Sequence, residues 1–273
     1  MLPGKLQKLQ CLLEEMGSVL VAYSGGIDST LVLQVAHGHL GPKALGVTAV
    51  SPTLHEIELE MASRVAAQIG ARHLLIETDQ LKIPDFVRND ATRCYHCKTD
   101  LYQMLGKLRS ELQMDTIVDG TNLDDLSDDR HGTQAAREWG VRSQLVEASL
   151  SKAEVRDLAR MLGLSNWDKA AAPCLSSRVP RGMVITRETL RRVEDAERFL
   201  VGVGFRQIRV RDYHGEARVE VGQNELARLF EPTMRERVGQ ALTGLGFATV
   251  TLARDGYRQG STNRADPPRP VIS

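Results

Sequence analysis

The octet YSGGIDST at residues 23–30 decides the fold, because it stands between the apolar runs 19–22 and 31–33. This order predicts a strand, a tight glycine turn and a helix. Two adjacent glycines let the backbone approach a ligand with no Cβ in the way. Hydroxyl groups and the free N–H groups that open the helix surround the turn, and such a nest binds phosphate. Asp28 adds a carboxylate that suits a Mg²⁺ ion bridging phosphate oxygens.

The octet differs from the phosphate loop of kinases and GTPases, since it has no lysine and another spacing. It resembles the SGGxDS loop of the PP-loop ATP pyrophosphatases. That resemblance implies that ATP is held by its β,γ-pyrophosphate and attacked at the α-phosphate, giving an adenylated substrate and pyrophosphate. A polar turn without a ligand is the simpler alternative, but the complete octet between two apolar runs favours the nucleotide. The residues expected to bind ATP are Ser24, Gly25, Gly26, Asp28 and Ser29.

Length and composition favour a two-domain enzyme without a large nucleic-acid surface. The chain has 273 residues, of which 42% are apolar, with 35 basic and 35 acidic side chains. A nucleic-acid-binding surface normally shows a basic excess, so we expect no nucleic-acid partner. No apolar run approaches the length of a membrane span, and residues 1–5 show no signal-peptide pattern. We therefore expect a cytoplasmic protein without a membrane partner.

Strand and helix patterns alternate through the first part of the chain. We predict strands near 19–22, 44–50, 73–77 and 116–120 and a short strand at 143–146, with helices near 6–16, 56–70, 100–112 and 152–162. This alternation predicts an α/β fold, a parallel sheet with helices on both faces. The resemblance implies the adenine nucleotide alpha hydrolase-like version. Ligands of such sheets bind at the carboxyl ends of the strands.

The pattern changes after Pro180 to a smaller α+β domain. A charged helix at 187–200 precedes strands at 208–212 and 217–221, helices at 224–229 and 233–245, and a strand at 249–252. We predict a PP-loop domain at 1–182, an α+β domain for substrate binding or oligomerisation at 183–260, and a disordered tail at 261–273.

Four cysteines in a chain of this length favour a metal site or catalysis over disulfides. Cys11 lies beside leucines in the first predicted helix and is expected to be a small buried core residue. Cys94 and Cys97 form a C-x-x-C pair in a polar stretch before the helix predicted at 100–112. Cys174 lies in the loop 172–182 with two arginines, which can stabilise a thiolate or clamp a phosphate.

Three segments together resemble the ATP-dependent sacrificial sulfur transferase family, the LarE type: SGGIDST, DGTN at 119–122 with the acidic stretch after it, and PCLSSRVPRG at 173–182. The resemblance spans about residues 5–260. It implies adenylation of a pyridinium-3,5-biscarboxylate mononucleotide and conversion of its carboxylates to thiocarboxylates in nickel-pincer nucleotide cofactor biosynthesis. Cys174 and Asp28 would be the catalytic residues, and the protein would form a homo-oligomer.

The added Cys94 and Cys97 resemble the iron–sulfur variant of that family. The resemblance implies that Cys94, Cys97 and Cys174 hold a [4Fe–4S] cluster, whose open iron binds hydrosulfide and spares the protein's own sulfur. Thiolates are the usual ligands of such clusters. A zinc site that adds His96 or His131, or three free thiols, is the competing interpretation. The sulfur source, Cys174 or cluster-bound hydrosulfide, stays open.

Further binding residues are expected around these segments. The turn after the fourth strand is expected to meet the α-phosphate of ATP or its Mg²⁺ through Gly120, Thr121 and Asn122. The substrate-binding candidates are Lys98, Arg178, Arg181, Arg209 and Arg211, with Glu220 a weaker one. Arg209 and Arg211 alternate on one strand and share a face, for which an exposed strand face is the alternative. The acidic stretch 124–129 is expected to be mostly solvated.

Three other functions fit the same loop. One is a tRNA-thiolating PP-loop enzyme, which the balanced charge disfavours. Another is an ammonia-dependent amide-forming ligase, which would need no cysteine trio. The third is a metal-dependent nucleotide sensor without catalysis.

Overall fold

The computed structural model describes residues 2–128, 130–170 and 172–257. It divides into two compact units: unit 1 comprises Met1–Gln80 and Thr92–Ala172, and unit 2 comprises Leu81–Ala91 and Pro173–Ser273. The sequence analysis placed this boundary at residue 182 and did not separate the short segment Leu81–Ala91. The tail predicted at 261–273 lies outside the described residues.

Unit 1 is built on a four-stranded parallel sheet. Its strands are β1 (Val19–Ala22), β2 (Ala44–Val50), β3 (Arg72–Glu77) and β4 (Thr116–Val118). They lie in the order β3-β2-β1-β4, and all neighbours are parallel. The predicted α/β class with a parallel sheet is therefore confirmed. Crossover helices return the chain to the same end of the sheet after each strand, so the turns after β1 and β4 leave from one edge.

Twelve helices are described. They are α1 (Leu2–Glu14), α2 (Ile27–Leu40), α3 (Glu56–Ile69), α4 (Pro84–Val87), α5 (Arg93–Glu111), α6 (Asp125–Asp128), α7 (Arg130–Glu138), α8 (Gln144–Glu147), α9 (Lys152–Met161), α10 (Arg187–Gly202), α11 (Leu226–Leu229) and α12 (Pro232–Gly244). Short 3₁₀ turns occupy Gly41–Lys43, Gln80–Lys82, Leu175–Arg178 and Gln223–Glu225. No helix among the described residues is long and apolar enough to cross a membrane.

Side chains of β1 alternate between two apolar layers, which places helices on both faces of the sheet. Val19 and Val21 join the core beneath α1, α2 and α9, whereas Leu20 packs with Tyr102 of α5 and Ile117 of β4 on the other face. Successive strand residues point to opposite faces, so a strand that is apolar throughout must be covered twice.

Two local predictions in unit 1 were wrong. The C-x-x-C pair was placed before a helix predicted at 100–112, but α5 begins at Arg93, so Cys94 and Cys97 lie in its first two turns. The strand predicted at 143–146 is instead the short helix α8, and a single bridge joins Arg142 to Val118 of β4. Short apolar runs do not distinguish a strand from one helical turn, and packing decides between them.

Unit 2 contains a three-stranded mixed sheet. Its strands are β5 (Ile208–Tyr213), β6 (Glu216–Val221) and β7 (Thr249–Leu252), in the order β5-β6-β7. β5 and β6 form an antiparallel hairpin, and β7 runs parallel to β6. This agrees with the predicted smaller α+β region.

Candidate active site

The glycine turn after β1 depends on Gly25 for two reasons. Gly25 has φ +68°, a left-handed conformation that L side chains rarely adopt. A Cβ on Gly25 would also lie 2.6 Å from the Cβ of Ala62 and 2.7 Å from its Cα, which is backbone of α3. The turn is therefore pressed against α3, and glycine alone permits that approach.

Hydroxyl groups fold the turn around the N-terminus of α2. The Ser24 and Ser29 hydroxyls lie 3.1 Å apart, and the backbone N–H of Ser24 donates to Ser29 Oγ at 3.2 Å. Ser29 in turn donates to the carbonyl oxygen of Gly26 at 3.2 Å. Ser24 is exposed, whereas Ser29 is buried. The loop thus presents an accessible hydroxyl beside the positive end of a 14-residue helix, as an anion site requires.

The turn after β4 packs directly on this loop. A Cβ on Gly120 would lie only 2.6 Å from the backbone nitrogen of Ser29. Asn122 donates from Nδ2 to Asp28 Oδ1 at 3.1 Å. The two segments that the sequence analysis assigned to ATP therefore meet at the carboxyl edge of the sheet.

The carboxylate of Asp119 stabilises the turn after β4 through hydrogen bonds. This buried carboxylate accepts hydrogen bonds from the Tyr102 hydroxyl at 3.0 Å and the Ser143 hydroxyl at 2.8 Å. It also accepts from the backbone N–H of Thr121 at 3.1 Å and from the Thr121 hydroxyl at 2.8 Å. These four donors satisfy a buried carboxylate and hold the turn in one conformation.

A lysine that the sequence analysis missed contacts the carboxylate of the glycine turn. Lys152, the first residue of α9, binds Asp28 Oδ2 through its ammonium group. The pKa of the nearby Asp125 carboxyl is raised, mainly because the protein partly removes it from water, with a further contribution from the Asp28 charge. Lys152 therefore offsets part of the negative charge at this edge.

The acidic stretch after Asn122 is more structured than predicted. Asp125 accepts the backbone N–H of Asn122 at 3.0 Å, and Asp124 accepts the backbone N–H of Lys152 at 2.6 Å. The Asp125 bond closes the β4 turn on itself, and the Asp124 bond connects that turn to the start of α9. Asp129 lies outside the described residues.

These segments line a cavity of about 360 Å³. Five residues of the predicted ATP site lie on its wall, namely Ser24, Asp28, Ser29, Gly120 and Thr121. Lys98 of α5, predicted to bind a phosphate, lines it as well, with its ammonium 4.0 Å from Asp119 Oδ2. The cavity thus combines hydroxyl donors, a helix N-terminus, a cation and the Asp28 carboxylate, a hard oxygen ligand suited to Mg²⁺.

The cysteines are distributed over both units. Cys94 and Cys97 are half-buried and three positions apart on α5, so they share one helix face. Cys174 belongs to unit 2 and is exposed. Cys11 is exposed too, and its expected role as a buried core residue was wrong. Among the described residues no group of three or more His, Cys, Asp or Glu side chains is arranged to hold a metal ion.

Arg178 anchors the loop that carries Cys174. Its Nε and Nη2 donate to the two carboxylate oxygens of Glu197 on α10 at 2.9 and 2.8 Å, and both side chains are buried. Its Nη1 donates to the carbonyl oxygens of Pro173 and Cys174. Because all three nitrogens are bonded to the protein, this geometry favours positioning of the Cys174 loop over direct contact with a substrate.

Arg209 and Arg211 are both buried on β5, which rules out the exposed strand face. Arg211 donates from Nε to Glu220 Oε1 at 3.0 Å and from Nη1 to the Ser177 carbonyl at 3.2 Å. The Arg209 guanidinium lies 4.9 Å from the ring centroid of Tyr257, and burial lowers the pKa of Arg209. The Oε2 atom of Glu220 is buried and has no hydrogen-bond partner among the described residues.

Asn89 is a second residue that the sequence analysis missed. It has φ +56°, is fully buried, and donates from Nδ2 to the carbonyl oxygens of Val179, Pro180 and Met183 at 2.8–3.2 Å. Arg181 donates to the carbonyl of Asp90 in the same segment. The segment Leu81–Ala91 therefore fixes the end of the Cys174 loop. An asparagine before Asp90 resembles an ordinary turn, so no sequence signal distinguished it.

Comparison with known proteins identifies the family of the chain. The asparagine synthase family model matches residues 12–114, which include β1 and its glycine turn. The pyridinium-3,5-bisthiocarboxylic acid mononucleotide synthase of Lactiplantibacillus plantarum is 35% identical over 96% of this chain and 95% of its own length. An uncharacterized Synechocystis protein is 44% identical over 97% of this chain and 98% of its own length. An uncharacterized protein of Methanocaldococcus jannaschii is 30% identical over 93% of this chain and 97% of its own length. The chain belongs to the LarE-type family of PP-loop ATP pyrophosphatases and is an ATP-dependent synthase of that family.

Proposed function

We propose that this enzyme inserts sulfur into a pyridinium-3,5-biscarboxylate mononucleotide during nickel-pincer nucleotide cofactor biosynthesis. Near full-length similarity to the Lactiplantibacillus synthase supports the substrate class. The structural observation that supports its ATP-dependent step is the packing of Gly120 against Ser29, which brings the two segments proposed to bind ATP to one cavity.

Adenylation is the first step. A substrate carboxylate oxygen attacks the α-phosphorus of ATP, the bond from that phosphorus to the bridging oxygen breaks, and pyrophosphate leaves. The loop residues Ser24, Gly25, Gly26 and Ser29 would hold the β,γ-pyrophosphate, with Gly120, Thr121 and Asn122 beside the α-phosphate. Asp28 would hold Mg²⁺, which supplies charge neutralisation of the phosphates.

Sulfur transfer is the second step. The Cys174 thiolate attacks the acyl carbon, AMP leaves, and a thioester joins the substrate to the protein. Removal of the Cys174 Cα proton then breaks the Cβ–S bond, which releases the thiocarboxylate and leaves dehydroalanine. The exposure of Cys174 on an anchored loop supports this role, since Arg178 and Asn89 fix the loop backbone while the thiol stays accessible.

The alternative sulfur source is hydrosulfide on a [4Fe–4S] cluster held by Cys94, Cys97 and Cys174. Its support is the sequence pattern and the placement of Cys94 and Cys97 on one helix face. We further propose Arg209, Arg211, Arg181 and Lys98 as contacts of the substrate phosphate, Arg178 as a positioning residue, and a homo-oligomeric assembly.

The experiment is anaerobic purification followed by iron and sulfide analysis and turnover with Mg-ATP and the biscarboxylate mononucleotide. We expect AMP, pyrophosphate and a product in which sulfur has replaced oxygen, detected by mass spectrometry. Cys174→Ala should retain pyrophosphate release and lose thiolation, whereas Cys11→Ala, also exposed, should match the wild type.

The sulfur sources give different results. Dehydroalanine at Cys174 after turnover identifies the protein as donor. The cluster is identified as the sulfur carrier if Cys94→Ala and Cys97→Ala lose iron and sulfide and the wild type keeps Cys174 intact after turnover. Full thiolation by Cys174→Ala would contradict both routes, and amide formation from ammonia or modification of tRNA would replace the proposal.

A further inference from the structure

The segment after α9 packs against the carbonyl side of the glycine turn. Asn166 is 4% exposed and donates from Nδ2 to the carbonyl oxygen of Gly25 at 3.1 Å and to Thr30 Oγ1 at 3.0 Å. Lys169 donates to the same Gly25 oxygen at 3.2 Å. A single backbone carbonyl therefore receives two side-chain donors, one of them charged. Neither residue lines the cavity.

Lys169 is itself held in place. Its ammonium lies 2.6 Å from a carboxylate oxygen of Glu58 on α3, and its side chain is 11% exposed. The orientation of the Asn166 amide is also determined. The Gly25 carbonyl can only accept a hydrogen bond, so the amide nitrogen must face it. Lys169 is thus fixed to α3, the helix that contacts Gly25 through Ala62, and Asn166 is bonded to Thr30 of α2.

A trans peptide places its carbonyl and its N–H on opposite sides. Donors on the Gly25 oxygen therefore turn the N–H of Gly26 the other way, toward Ser24 Oγ at 3.3 Å, and Ser24 lines the cavity. A Gly-Gly peptide has many accessible conformations, so its orientation needs external constraints. A charged donor on the carbonyl also polarises the peptide and strengthens its N–H as a donor.

We infer that Asn166 and Lys169 are positioning residues that fix the Gly25–Gly26 peptide so that its N–H faces the β,γ-pyrophosphate of ATP. The inference rests on the ATP site of the proposed function and is independent of the sulfur step. We therefore expect the two residues to affect binding of the pyrophosphate and not of the adenosine end of ATP. Among the described segments of the proposed site, the hydrogen bonds of Asn166 and Lys169 reach only the octet 23–30.

The test compares Mg-pyrophosphate, Mg-ATP and AMP binding by calorimetry in the wild type, Lys169→Met, Asn166→Ala and Lys169→Arg. We expect pyrophosphate and ATP to bind about tenfold more weakly to Lys169→Met, which loses one charge-assisted hydrogen bond, and somewhat less weakly to Asn166→Ala, which loses a neutral one. AMP, which lacks the β and γ phosphates, should bind as to the wild type. Lys169→Arg should recover most of the pyrophosphate affinity.

Lys107→Met on the exposed face of α5 is the matched control and should change no affinity. If Lys169→Met does not fold, Lys169→Gln, which keeps a donor and loses the charge, carries the same comparison. Equal losses for pyrophosphate and AMP, or unchanged pyrophosphate binding in folded variants, would overturn the inference. The proposed function fails separately, if ATP and pyrophosphate bind as expected but no thiocarboxylate forms.

Discussion

The ammonium of Lys152 contacts the carboxylate of Asp28 across 124 positions of sequence. The other carboxylate oxygen of Asp28 accepts from Asn122 at 3.1 Å. The acidic residue of the glycine turn is therefore held by the turn after β4 and by the first residue of α9. A cation at this point also reduces the repulsion that a triphosphate would meet from the carboxylates of this edge.

Replacing Lys152 with methionine should weaken nucleotide binding. Loss of the cation leaves Asp28 and Asp125 facing the phosphates, so we expect the KM for Mg-ATP to rise about tenfold, the effect of one charge-assisted contact. ATP–pyrophosphate exchange kinetics measure this. Lys152→Arg should keep most of the affinity, and Lys43→Met, which replaces an exposed lysine in the 3₁₀ turn before β2, should behave as wild type. Unchanged KM in Lys152→Met would contradict the electrostatic role.

Gly120→Ala should disturb both ATP segments together. The new Cβ would lie 2.6 Å from the Ser29 nitrogen, which is helix backbone and cannot yield by a rotamer change. We expect a loss of about 1–3 kcal/mol in the free energy of unfolding, typical of overpacking, and a loss of ATP binding. Urea denaturation and calorimetry measure the two effects.

Gly38→Ala is the matched control for that variant. Gly38 lies in α2, and a Cβ there would meet nothing within 4 Å. Alanine is favoured over glycine inside a helix, so stability should rise by roughly 0.5–1 kcal/mol with ATP binding intact. Equal stability and equal ATP binding of Gly120→Ala and Gly38→Ala would show that the close approach of Gly120 to Ser29 is not required for either property.

Arg178→Met should destabilise unit 2. It leaves the Glu197 carboxylate buried without its partner, and breaking a buried pair costs about 3–5 kcal/mol. Arg198→Met on α10, the helix that carries Glu197, removes an arginine with 47% of its side chain exposed and should cost less than about 1 kcal/mol. Thermal and urea unfolding compare the two. Equal stability of both variants would refute the anchoring role of Arg178.

Glu154 should make stability depend on acid pH. Hydrogen bonds from Lys5, with a further one from the Ser151 backbone, lower the pKa of Glu154 from 4.5 to about 2. A depressed pKa in the folded state stabilises the fold above the unfolded value and loses that contribution as pH falls through the folded value. Wild-type stability should therefore fall more steeply between pH 4.5 and about 2 than that of Glu154→Gln.

Urea titrations across this pH range measure the difference. Glu111→Gln, an exposed glutamate at the end of α5, should keep the wild-type slope. Parallel pH profiles for wild type and Glu154→Gln would show that the Lys5 contact contributes nothing.

The parallel sheet was predictable because apolar strand patterns alternate with helical patterns along the chain, and β1, apolar at all four positions, shows the strand pattern most clearly. The glycine turn was predictable because its chemistry is local. The start of α5 was not, since residues 93–97 are polar and their helical state depends on how Tyr102 and Leu105 pack beneath the sheet. The burial of Arg209 and Arg211 was equally invisible, because alternation shows which residues share a face and not what covers it.

By itself, the sequence determined the α/β class, the glycine turn and the family resemblance, all of which depend on neighbours along the chain. Tertiary structure alone decided which distant residues serve that turn: Lys152 on Asp28, Gly120 against Ser29, and Asn166 with Lys169 on the Gly25 carbonyl. The physical reason is that these contacts join residues some 90 to 145 positions apart, and only packing brings such residues within hydrogen-bond distance.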